Sequence, residues 1–120
     1  MRTTRLTLGP EDRVKQSADF QRVRLEGESV RGTFVTLGFL RDARATNTRF
    51  GFVTSRRVGG AVVRNRIRRR LREIARKHKA ELSPEFLVIT VAHHRSAHAS
   101  YAQLEQEWLR LAGRASILSA

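Results

Sequence analysis

Residues 56–79 hold eleven lysines and arginines against a single acid, Glu73, which concentrates +10 of the chain's formal +13 in one fifth of its length. Cations packed this densely are chemistry for a polyanion, because affinity for RNA or DNA comes largely from side chains that replace the counterions of phosphates. Guanidinium forks suit the task further, since they can bond phosphate oxygens bidentately. Asn65 lies inside the run and can both donate and accept, so it is equipped to bond a sugar hydroxyl or a base edge. A tolerated surface asparagine is the other reading of that position. Elsewhere the chain offers little chemistry. Its eleven carboxylates are scattered and mostly flanked by arginine, with no pair placed to hold nuclease metals. His93, His94 and His98 put two imidazoles one helical turn apart, but with no carboxylate close by they read as surface histidines in a loop. Gly59-Gly60 is followed by no Gly-Lys-Ser/Thr and is not a phosphate-cradling loop. The absence of cysteine excludes disulfides, zinc fingers and thiol catalysis. No catalytic residue and no metal ligand is assigned.

The basic run must be carried by a helix. Val63, Ile67, Leu71, Ile74 and His78 recur at helical spacing and form a narrow apolar stripe. Asn65, Arg68, Arg69, Arg72 and Arg76 then point away from it. Gly59-Gly60 frees the backbone before the helix and Ser83-Pro84 bars its continuation. A basic amphipathic helix also fits membrane surfaces and calmodulin-like partners, but this stripe is narrow and lacks the broad aromatic face of a membrane helix. Upstream, residues 17–26 read as a short helix with Phe20 and Val23 as apolar contacts and Gly27 as its stop. Residues 33–40 and 49–54 read as strands, with Val30 in a possible short strand before them and the polar residues 41–48 as a hairpin connection. The near-continuous apolar run 86–92 predicts a central strand covered on both faces. A last helix is expected over 100–112, where Leu104, Trp108, Leu111 and Ala112 share a face. Residues 1–13 are expected to form a loose N-terminal arm and residues 114–120 to fray.

One domain is the expectation for 120 residues, and 40% apolar residues suffice for one modest core. No run approaches the roughly 18 apolar residues of a membrane span. The N-terminal MRTTRLTLGPEDR has no signal-peptide stretch, so a cytoplasmic location is expected.

The residues from Arg56 to Glu73, RRVGGAVVRNRIRRRLRE, closely resemble the signature of the protein subunit of bacterial ribonuclease P, with the central Arg64-Asn65-Arg66 in register. The resemblance continues in Asp19-Phe20-Gln21, in Arg49 and Gly51, and in Glu85-Phe86-Leu87-Val88-Ile89, and covers about residues 13–112. It implies an α+β fold, a two-layer α/β sandwich with a mixed four-stranded sheet in the order α-β-β-β-α-β-α and a left-handed βαβ crossover. It implies a protein that binds a catalytic RNA and the 5′ leader of precursor tRNA, promoting endonucleolytic removal of that leader. Carried over by position, Arg64, Asn65, Arg66, Arg68, Arg69 and Arg72, with Arg56 and Arg57 before them, are the expected contacts to the catalytic RNA. Phe20 matches the aromatic lining the leader cleft, where a ring would stack on an unpaired base; anchoring the first helix in the core is its other reading.

The chain also departs from the family pattern. Arg70 stands where members are usually apolar and is expected to snorkel along the stripe. Arg24 replaces a second cleft aromatic found in some members, Thr90-Val91 replaces a frequent arginine, Glu85 replaces a frequent Asp, and Gly60 a common polar residue. The resemblance implies catalysis by the RNA, with the protein non-catalytic alone, Mg²⁺ held mainly by RNA, and no membrane or further protein partner. A ribosomal or general RNA- or DNA-binding protein without associated activity is the alternative.

Overall fold

The computed structural model describes residues 17–42, 48–83 and 85–118. Three helices, α1 (Ser17–Glu26), α2 (Ala61–His78) and α3 (Tyr101–Arg114), surround four strands, β1 (Glu28–Arg31), β2 (Val35–Arg41), β3 (Arg49–Thr54) and β4 (Phe86–Ala92). Short 3₁₀ turns at Arg56–Val58, Lys79–Glu81 and His94–His98 join them. The sheet order is β1-β2-β4-β3, antiparallel except where β3 runs parallel to β4. This is the expected mixed four-stranded sheet and element order, with β3-α2-β4 as its crossover unit.

Residues 41–48 do not connect a hairpin, as the sequence suggests; β4 lies between β2 and β3. A strand as apolar as FLVITVA is stabilised most at the centre, where both edges are hydrogen-bonded and both faces are covered. Polar composition marks a connection without fixing which strands it pairs. Of that connection, residues 43–47 lie outside the described residues, as does the expected N-terminal arm, 1–13. The hairpin is instead β1–β2. Gly32 N–H donates to the Val35 carbonyl at 2.8 Å, and a Cβ at Gly32 would sit 2.5 Å from the Glu107 carboxyl carbon.

Alternation sorts the sheet into two faces. Val35, Leu37, Phe39, Phe50, Val88 and Ala92 pack against Ile67, Leu71 and Ile74 of α2 and Leu104, Trp108 and Leu111 of α3. Trp108 is fully buried, and its indole N–H donates to Thr90 Oγ1 at 3.1 Å, so a polar group in the central strand is satisfied. Among the described residues the opposite face meets only α1, through Val23 with Leu87 and Ile89. The expected two-layer sandwich therefore has a partial third layer. Ser100 caps α3 in a reciprocal capping box with Gln103. The fraying expected from residue 114 is corrected over 115–118: Ile117 is buried, Leu118 pairs with Leu82, and Ser83 N–H donates to the Ile117 carbonyl at 2.7 Å. Two adjacent apolar residues, Ile117 and Leu118, in so short a tail gave no periodicity by which to foresee this.

Candidate nucleic-acid interface

α2 begins after Gly59, whose φ of 151° is open to glycine and strained for other residues. From there Ile67, Leu71, Ile74, Ala75 and His78 are buried and Val63 half-buried, the stripe expected from periodicity. His78 stacks on Trp108 and bonds carboxylates through both ring nitrogens, Glu81 at Nδ1 and Glu105 at Nε2. Glu105 also takes Lys77 Nζ at 2.9 Å, and these two bonds, His78 first, hold its carboxyl below the usual range.

The arginines of this segment divide into four groups. Arg56, Arg57, Asn65, Arg69 and Arg72 are exposed, and none of the four arginine side chains bonds another group among the described residues. A second group is half-buried. Arg68 donates to Asn65 Oδ1 at 3.2 Å and to Thr54 Oγ1 at 2.6 Å, so it ties α2 to the end of β3. Arg64 keeps a buried Nε with no protein partner. The third group spans the gap to the turn before α3. Arg66 donates to the Ala97 carbonyl at 3.1 Å and Arg70 to the Ala99 carbonyl at 3.0 Å. Arg70 thus lies along the side of the stripe, as expected, but ends on a backbone acceptor. Arg66, expected among the RNA contacts, is partly committed inside the protein. A helical wheel gives the direction of a side chain and not what waits there. Arg76 is paired with Glu73 by bonds of 3.1 and 2.7 Å, which lower the Glu73 pKa.

A groove runs along the other face of the sheet, beside α1. Phe20, Val23, Arg24, Val53, Ile89 and Val91 are among its walls, and it encloses about 470 Å³. Two glycines let α1 approach the sheet. A Cβ on Gly51 would lie 2.7 Å from the tip of the Phe20 ring, and one on Gly38 3.2 Å from Val23. Phe20 is half-buried, so it both anchors α1 and lines the groove. Asp19 and Asp42, both buried, hold Arg22 and Arg49 at 3.5–3.7 Å and fix α1 over the start of β3. Sequence reasoning missed Val53 and Val91, each 36% exposed on the groove floor. No signal in the sequence marks them, because an apolar residue in an apolar strand reads as covered.

The three histidines of the loop are not brought together. His93 Nε2 and Thr36 Oγ1 share a hydrogen bond of 2.6 Å, while His94 and His98 are exposed. Burial, and then the charge of Arg31, lowers the His93 pKa and leaves its ring neutral at pH 7. Among the described residues no group of three or more His, Asp or Glu side chains could hold a metal ion.

A family model described as Ribonuclease P matches residues 8–116. A ribonuclease P protein component from Acidothermus cellulolyticus is 40% identical over 103 residues, 85% of this chain and 86% of that one. One from Chloroflexus aurantiacus is 38% identical over 109 residues, covering 90% and 80%. The solved RNase P protein of Staphylococcus aureus superposes with a TM-score of 0.84 at 26% identity, covering 90% of this chain and 98% of that one.

Proposed function

The chain belongs to the ribonuclease P protein family, and from that premise we propose how its two surfaces divide the work. As the protein component of ribonuclease P, it serves a ribonucleoprotein endonuclease that removes the 5′ leader of precursor tRNA. In our reading the exposed face of α2, with Arg56, Arg57, Asn65, Arg69 and Arg72, meets the catalytic RNA, assisted at its margins by Arg64, Arg66 and Arg68. The groove beside α1 takes the single-stranded leader, with Phe20 offered to an unpaired base. The separation of Arg69 and Arg72 on α2 from the apolar groove, on opposite sides of one sheet, carries this reading. Phosphates want cations, and unpaired bases want apolar and aromatic surface. The substrate is then precursor tRNA, held in place while one phosphodiester is hydrolysed to leave a 5′-phosphate on the mature end.

The RNA is the catalyst in this proposal and no further protein is required. Mg²⁺, held chiefly by RNA phosphates, supplies Lewis acidity and the attacking hydroxide. The protein contributes by reducing repulsion between two polyanions and by gripping the leader. The cytoplasm is the proposed location. The chain purified from its cells should bring down one dominant structured RNA of tRNA-processing activity, and freed of that RNA it should not cleave precursor tRNA at any Mg²⁺ concentration. Cleavage by the RNA-free protein would overturn the assignment of catalysis to the RNA.

A further inference from the structure

The groove beside α1 does not end at Val91. Thr36 and Val91 are also walls of a second, polar groove of about 530 Å³, which carries Arg31, Arg57 and Arg95. Strand register explains the continuity. Arg31 pairs with Thr36, Thr36 with Val91, and Val91 with Val53, so these four residues form one row across the sheet on the face that α1 leaves open. The row runs from apolar at β3 to cationic at β1. We propose that this second groove is a phosphate-binding extension of the leader site, in which Arg31 and Arg95 hold backbone phosphates of the same single strand whose base meets Phe20. The inference rests on the leader reading given above.

Both walls that carry these cations are held by buried groups, so the groove is built before RNA arrives. On one side the carboxylate of Glu107, 5% exposed, accepts the backbone N–H groups of Thr33, Phe34 and Val35 at 2.8, 2.6 and 2.8 Å and fixes the turn that follows Arg31. On the other, Arg66 and Arg70 hold the carbonyls of Ala97 and Ala99, and buried Ser96 donates to the His93 carbonyl at 2.6 Å, fixing the turn that presents Arg95. His93 N–H donates to the Phe34 carbonyl at 2.8 Å and joins the two walls. The side chains of Arg31 and Arg95 are exposed and neither makes a hydrogen bond or ion pair among the described residues. A recess continuous with an apolar platform suits a single strand, with bases on the valines and phosphates on the arginines. The convex outer face of α2 is the surface left for a structured RNA.

The test uses holoenzyme reconstituted with the Arg31→Ala/Arg95→Ala double variant, mature tRNA, and precursors whose leaders lengthen one nucleotide at a time. Losing charge-assisted phosphate contacts should weaken long-leader precursor by about tenfold or more and leave mature tRNA, catalytic-RNA binding and the protein's melting temperature unchanged. Arg31→Lys/Arg95→Lys should retain most of the affinity, because a phosphate needs the charge before the fork. Neutral methylphosphonates at the leader linkages that cross the groove should remove the difference between wild type and the alanine variant. Equal losses on mature and precursor tRNA, weaker binding to the catalytic RNA, or no loss at all would overturn the inference. If Phe20→Ala weakens precursor binding while the arginine variant does not, this extension alone fails. If Phe20→Ala also has no effect on precursor, the leader reading beneath it fails.

Discussion

The ring of Phe20 touches Gly51 on the sheet and lines the groove, so its truncation tests packing and recognition together. Phe20→Ala should weaken leader-bearing precursor tRNA by about ten- to a hundredfold, the value of one base stacked on an aromatic, with mature tRNA little changed. A melt of the same variant should fall only modestly, because Val23, Leu87 and Ile89 still pack beneath α1. Gly51→Ala should have a similar effect on precursor by another route. Its Cβ would fall within 2.8 Å of both Phe20 and Ile89 and push the ring off the sheet. Equal affinity of this variant and wild type for precursor would show that the ring's placement is not what the leader reads. In the sequence, Phe20 was legible as a cleft residue only through the resemblance around Asp19-Phe20-Gln21. The helical pattern alone left it equally a core residue, and the structure gives it both contacts. The floor residues Val53 and Val91 stayed hidden because an apolar residue in an apolar strand carries no mark of facing out.

α2 was the most legible element, since its charge, periodicity and glycine start all agreed, and the test of its facing is direct. Ile67, fully buried, should cost ~2–5 kcal/mol when cut to alanine. Exposed Arg69→Ala should leave the melt within about 0.5 kcal/mol of wild type while weakening assembly with the catalytic RNA; the reverse order of melts would mean the helix faces the other way. Arg66→Ala should fall between, losing RNA affinity and some stability, because it also releases the Ala97 carbonyl. What the sequence left unread depends on contacts distant along the chain: the insertion of β4 between β2 and β3, the docking of Ile117, and the carbonyls that receive Arg66 and Arg70. The junction of α2 with α3 adds a pH dependence. Glu105 has its pKa lowered in the folded state from 4.5 by His78 and Lys77, so its contribution is complete above about pH 4.5 and is lost as the pH falls through the lower folded value. Thermal melts from pH 6 to pH 3 should therefore fall less steeply for Glu105→Gln than for wild type, and parallel curves would exclude this junction as an acid-sensitive contact.

Across the whole molecule, +13 on 120 residues leaves affinity dominated by counterion release. With roughly half a dozen phosphate contacts, binding to the catalytic RNA should fall on the order of a thousandfold between 50 and 200 mM salt. A nearly flat plot of log affinity against log salt would contradict phosphate binding. The central claim is that one small sheet separates two RNA surfaces, an arginine face on α2 and a groove beside α1. Its most direct measurement compares Arg69→Ala/Arg72→Ala with Phe20→Ala for two quantities, affinity for the catalytic RNA and the ratio of precursor to mature tRNA affinity in the assembled holoenzyme. The account predicts that the arginine pair lowers the first and leaves the second, while Phe20→Ala lowers the second and leaves the first. Variants that each move both quantities together would contradict it, because a single continuous RNA surface would then serve both partners.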